Sequence, residues 1–246
     1  MTLDDIDTPA VLIDLDRVKA NLARAQAYAD AHGLRLRPHI KTHKLPLFAR
    51  DQQALGAIRI TAQKLGEAEA MADGGLTAAL AALTDAGLPP PVISAGGSPG
   101  LYRAHLVTAA TEHRHGTYIY SDRMQVAFGL GGWGDCALTV IATVVSRPSG
   151  TRAILDSGSK ALGADLCPLP DRGRITAYPE AVITGLSEEH GHVDLSACTD
   201  RPAVGERVRV IPNHACVVTN LFDHVHLIRG NVVEELASVT SRGKLA

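Results

Sequence analysis

The chain has 246 residues, 46 % hydrophobic and 20 % charged, with a mean hydropathy of +0.05 and a formal net charge of −2. These values exclude a disordered chain and leave enough apolar material for one large domain or two small ones. Near-neutral charge excludes the electrostatic footprint of a nucleic-acid or anionic-membrane binder. The start, MTLDDIDTPA, is acidic and lacks an apolar core, so no signal peptide is expected. Cys136, Cys167, Cys198 and Cys216 are widely scattered, which predicts thiols and a cytoplasmic protein.

Pro9 to Leu15 reads as a strand. Leu15, Val18, Leu22, Ala25 and Ala29 then follow helical spacing until Gly33. Residues 36–44, LRPHIKTHK, read as the next strand, and Pro46 to Gly56 as a helix with Pro at its start and Gly at its end. AIRITA (57–62) is a strand and LGEAEAMADGG a helix, so βα repetition predicts a parallel sheet or barrel. At Gly74-Gly75 the rhythm breaks, because a second helical run, Leu76 to Gly87, follows with no strand between. PPPVISAGG is then a strand and turn, Pro99 to His113 a helix, and TYIYSD a strand. From about Gly116 short apolar runs alternate with Gly, Pro, Asp and Ser, including ERVRVIP, CVVTN, HVHLIRG and NVVEEL. That pattern predicts a β-rich second domain, a small barrel or sandwich. The fold class is therefore α/β plus β, divided as 1–115 and 116–246. The longest apolar run, Ala137 to Val145, suits a buried strand and is too short to span a bilayer.

Three stretches carry chemistry. On a strand, Arg37, His39, Lys41 and His43 would share one face, with Leu36 and Ile40 on the other. An edge strand could leave that basic face in water. In a βα sheet or barrel both faces are covered, and buried cations then need an anionic ligand. SAGGSPG (94–100) is a Gly-rich turn between a strand and a helix, which suits either a phosphate cradle or a tight connection. In PNHAC, His214 and Cys216 are two apart, the spacing of a metal pair on a strand or of ordinary core packing. His190, His192 and Asp156 fit turns as well as a site, and His224 and His226 read as solvent-facing.

Taken together, DTPAVLIDLDRVKANL, LRPHIKTHK, ITAQKLGEAEAMA, GLPPPVISAGGSPG, GTYIYSDRMQ, LDSGSKAL, LSEEHGHVDLS and RPAVGERVRVIPNHACVVTNLFD resemble the D-serine dehydratase and D-threonine aldolase family. The resemblance spans nearly the whole chain. It implies a fold-type III pyridoxal-phosphate (PLP) enzyme: an alanine-racemase-like barrel followed by a β domain. It implies that Lys41 forms the Schiff base with PLP, with Lys44 facing away, and that Gly96, Gly97 and Ser98 hold the phosphate. His39, Gln63 and Tyr118 match positions near the cofactor. His214 and Cys216 match the zinc pair of the dehydratases. The implied partner is a small D-amino acid, with association into a homodimer.

The implied activity is D-serine dehydration, with D-threonine retro-aldol cleavage or an inactive remnant as alternatives. The family carries several further βα units where Gly74-Gly75 stands. A complete (β/α)₈ barrel takes about 200–250 residues, so roughly half of it is expected to be missing.

Overall fold

The computed structural model describes residues 1–61, 85, 87 and 91–242. Gln63, the Gly74-Gly75 junction and most of the two helical runs beside it lie outside the described residues. None of the described helices is long and apolar enough to cross a membrane.

The second half is built on a nine-stranded sheet. Its strands are β1 (Ala10–Asp14), β4 (Leu138–Ser149), β5 (Arg152–Leu155), β6 (Gly173–Ile175), β7 (Val182–Leu186), β8 (Gly191–Asp194), β9 (Arg207–Pro212), β10 (His224–Arg229) and β11 (Val232–Ser238). Along the main path they run β11-β10-β1-β4-β5-β8-β7, and β9 bridges β4 to β6. β1 comes from the segment assigned by sequence to the first domain, yet it pairs inside this sheet, parallel to β10 and antiparallel to β4. It is apolar and buried on both faces from Ala10 to Ile13, which explains its continuous rather than alternating pattern.

Helix α1 (Leu15–Ala31) starts where the Asp14 carboxylate accepts the amides of Asp16 and Arg17, at 3.1 and 3.2 Å. It buries Val18, Leu22, Ala25 and Ala29, the expected stripe. Helix α2 (Pro46–Leu55) ends at Gly56, whose φ of +123° lies in the region that favours glycine. Phe48 of α2 is fully buried edge-on to Tyr120, at 6.0 Å between centroids, and its burial contributes about 2–3 kcal/mol. One apolar core runs from α1 and α2 into the nine-stranded sheet.

The parallel part is an arc. Residues 35–40 lie between 57–61 and 111–115. The amide of Ile58 donates to the Leu36 carbonyl, that of Ile40 to Thr61, that of Arg37 to His113 and that of His39 to His115, at 2.7–3.1 Å. Residues 93–95 add outside 111–115 through β2 (Ser94–Ala95) and β3 (Glu112–His113), which pair in parallel. The order across the arc is thus second, first, fourth, third in chain order. In a closed barrel the first and last strands are neighbours. The described segments therefore form a continuous piece of wall.

Four local expectations are corrected. The strand expected over 36–44 is extended backbone with isolated bridges at Leu36 and His39 only, and a turn begins at Ile40. The turn is closed by the Lys44 amide on the Ile40 carbonyl at 2.9 Å, so Arg37, His39, Lys41 and His43 do not share a face. Arg37 instead pairs with Glu112 at 2.8 Å, and His43 is buried edge-on against Phe48. The helix expected from Pro99 to His113 is a 3₁₀ segment that ends at Leu106.

TYIYSD and CVVTN, strand-like by their aromatic and β-branched residues, form a 3₁₀ turn (Thr117–Ile119) and a helix (Ala215–Leu221). The reason is Asp122, which has no solvent exposure. One carboxylate oxygen accepts the Gln125 amide at 2.9 Å and the other the Ala215 amide at 3.0 Å. It caps the short helix Arg123–Ala127 that follows TYIYSD and accepts the first amide of the Ala215–Leu221 helix, and that outweighs local strand preference.

Candidate active site

A pocket of about 220 Å³ opens between the arc and the Ala215–Leu221 helix. Its wall includes Lys41, the Gly96–Ser98 turn, Arg114, His214 and Cys216. Lys41 stands in the turn after residues 35–40, and its amide donates to His39 Nδ1 at 3.2 Å. His39 is buried and also reaches the pocket wall. Lys44, at φ +54°, sends its amine to the Asn220 side chain and does not line the pocket.

Two glycines make the close approach possible. Gly96 has φ +123°, and a Cβ there would sit 2.8 Å from the His115 ring. At Gly116 a Cβ would sit 2.7 Å from the His39 carbonyl oxygen. The Gly96, Gly97 and Ser98 amides find no acceptor among the described residues. The Ser98 hydroxyl accepts the Thr117 amide at 3.1 Å, which ties the turn to the segment opposite. His115 braces it from behind, Nδ1 lying 2.8 Å from the Gly97 carbonyl. Burial lowers the pKa of His115 to about 4, so its ring is neutral.

His214 stands at the N-cap position of the Ala215–Leu221 helix without a side-chain cap hydrogen bond, and Cys216 lies in its first turn, not on a strand as expected. The Cys216 sulfur is 3.2 Å from the Thr42 hydroxyl and 3.6 Å from that of Thr117. Thr42 follows Lys41 directly, so these contacts join the lysine turn to the helix. Burial pushes the Cys216 thiol up, but the hydrogen bond and charge of His214, with the two hydroxyls, outweigh it and hold the pKa below the ordinary value. His214 is raised to about 9, chiefly by its hydrogen bond to Cys216 against the cost of burial, and Asp165 adds to the rise. The two shifts run in opposite directions and favour a proton on His214 over one on Cys216.

The structure thus brings His39, Lys41, Gly96, Gly97, Ser98, His214 and Cys216 to one pocket. Tyr118 is not among the lining residues: it is buried, with its hydroxyl accepting from Gln52 Nε2 at 3.1 Å. His190 is exposed, and His192 contacts Ser187 at 2.9 Å. Arg114 and Gln125 were not singled out from sequence. Arg114 Nε and Gln125 Nε2 are buried without a partner among the described residues, which marks donors facing a missing acceptor. Free amides, Arg114 and Lys41 make a wall suited to a phosphorylated aldehyde.

The putative serine dehydratase domain family matches residues 137–228. D-threo-3-hydroxyaspartate dehydratase of Delftia sp. is 27 % identical over 354 residues, covering 87 % of this chain and 92 % of that protein. The alignment is longer than the chain itself, so the relative carries a long stretch with no counterpart here. An uncharacterized protein of Mycobacterium tuberculosis is 44 % identical over 128 residues, half of this chain and 96 % of its own length. The crystal structure of D-threonine aldolase from Filomicrobium marinum superposes with a TM-score of 0.83 at 22 % identity, over all of this chain and 98 % of the other. On the sequence matches, with the fold in agreement, the chain belongs to the D-serine dehydratase and D-threonine aldolase family.

Proposed function

We propose that the chain is a PLP- and zinc-dependent lyase of D-β-hydroxy amino acids, with D-serine, giving pyruvate and ammonia, as the favoured substrate. The observation that carries this reading is the convergence of Lys41, the glycine turn and the His214–Cys216 pair on one pocket. PLP, when bound, supplies the electron sink for the substrate's α-carbon. The amides of Gly96, Gly97 and Ser98 and the Arg114 guanidinium would bind its phosphate. The Lys41 amine would be its covalent anchor and could act as a base towards the substrate's α-proton.

His214 and Cys216 would hold a divalent ion whose Lewis acidity suits a β-hydroxyl leaving group. Both bind a metal only in their deprotonated forms, so metal should bind more tightly as pH rises. A histidine–cysteine pair is the dehydratase pattern, which favours loss of water over cleavage of the Cα–Cβ bond. Among the described residues nothing pairs with the outer edges of the arc, which favours a homodimer, to be checked as a solution mass of two chains by light scattering.

The test is to add PLP to the purified protein, trap the adduct with borohydride and map it by mass spectrometry. Attachment at Lys41 is expected, followed by pyruvate release from D-serine. Glycine and acetaldehyde from D-threonine would replace the dehydratase by the aldolase. Label spread over surface lysines would leave an inactive remnant.

A further inference from the structure

Gln125 lines the pocket at 3 % exposure but takes no part in the reading above. Its Nε2 is buried and has no partner among the described residues. A buried amide donor without an acceptor is costly, so such a group marks a place where an acceptor binds. The crevice behind it, shared with Tyr118, Ser121 and Leu130, measures about 10 Å³, the lower limit for one water. The pocket in front, at about 220 Å³, has the room for a ligand.

The backbone fixes where Gln125 stands. Its amide donates to Asp122 Oδ1 at 2.9 Å, and the other oxygen of that carboxylate accepts the Ala215 amide at 3.0 Å. Ala215 lies between His214 and Cys216 in the chain. The Met124 amide adds a bond to the Asn213 carbonyl at 3.3 Å. The helix Arg123–Ala127, which carries Gln125, is thus tied directly to the start of the helix that carries Cys216. Gln125 therefore belongs to the His214–Cys216 side of the pocket, while the Gly96–Ser98 turn is tied to Thr117. A substrate held through its amine at the cofactor, with its β-hydroxyl towards that pair, has one charged acceptor left. That acceptor is the α-carboxylate. The glycine-turn amides and Arg114 are already taken by the phosphate, which leaves the Gln125 amide as its donor.

We propose that Gln125 Nε2 binds the substrate's α-carboxylate and so restricts the site to amino acids, against amines of the same shape. The inference rests on the lyase reading above and deepens it by naming the residue that selects the substrate class.

The test compares D-alanine, which has no β-hydroxyl to lose, with isopropylamine, in which a methyl group replaces the carboxylate. Each is titrated into the PLP-loaded chain, and binding is followed by the change in cofactor absorption. Gln125→Leu should weaken D-alanine about 10- to 100-fold and leave isopropylamine within about twofold. Gln125→Glu keeps the shape but sets a like charge against the carboxylate, so it should weaken D-alanine further. Both variants should still give borohydride-trapped PLP at Lys41, which shows the site intact. An unchanged preference for D-alanine over isopropylamine in both variants would overturn the proposal and leave the amide to the crevice behind it. Equal weakening of the two ligands, or loss of PLP affinity, would overturn it too and make Gln125 a packing or cofactor-binding residue. Failure of PLP to attach at Lys41 in the unaltered chain would sink the lyase reading and this inference together. A lost carboxylate preference with Lys41 still carrying PLP is the result expected of the variants.

Discussion

β10 and β11 pair along six- and seven-residue strands joined by a tight turn, whereas β2 and β3 pair over two residues each. Both belong to one molecule with one continuous core, so the difference lies in connectivity. An antiparallel hairpin completes itself within about a dozen residues, while each parallel strand depends on a crossover and on neighbours from elsewhere in the chain. Among the described residues the antiparallel half is therefore extensive, while the parallel half is an arc of short pairings. The pocket lies where the two meet, because Lys41 and the glycine turn come from the arc and His214 and Cys216 from the sheet domain.

That contrast can be broken or sharpened experimentally. The largest effect is expected from Lys41→Ala, with complete loss of borohydride-trapped PLP and an unchanged melting temperature. PLP trapped elsewhere in equal amount would break the link between arc and cofactor.

Asp122→Ala should destabilise the join between the halves by about 3 kcal/mol, since two helix-start amides lose a buried acceptor. Urea unfolding measures it, and a loss below about 1 kcal/mol would show that the helices hold without their shared cap.

Acid should loosen the arc before the sheet. Burial lowers His43 and His115 to about 4 from an ordinary 6.5, so the folded state binds fewer protons than the unfolded one. Their contribution is full above pH 6.5 and is lost as pH falls towards 4. Each loses about 3 kcal/mol at most by then, and the curve flattens below. Hydrogen exchange at pH 5 should report opening of residues 35–40 and 111–115 ahead of β4 and β9. His43→Gln should reduce the pH slope.

The smallest effect is expected from Lys160→Ala in the sheet domain. Its bridges to Glu188 and Glu189, at 3.2 and 2.6 Å, are exposed and screened, so the melting temperature should not move measurably.

Periodicity alone specified α1, α2 and most strands of the sheet domain, because those elements are set by local spacing of apolar residues and by terminal Pro and Gly. Motif spacing specified Lys41, Gly96–Ser98 and the His214–Cys216 pair, since these lie within short contiguous stretches. The tertiary structure decided the rest. TYIYSD and CVVTN could not be read correctly, because Asp122 caps a helix start 93 positions away. Arg114 and Gln125 were not legible as pocket donors, because burial without a partner exists only once the chain is folded. Local physics wrote the elements, and long-range burial and capping chose which of them would face one another.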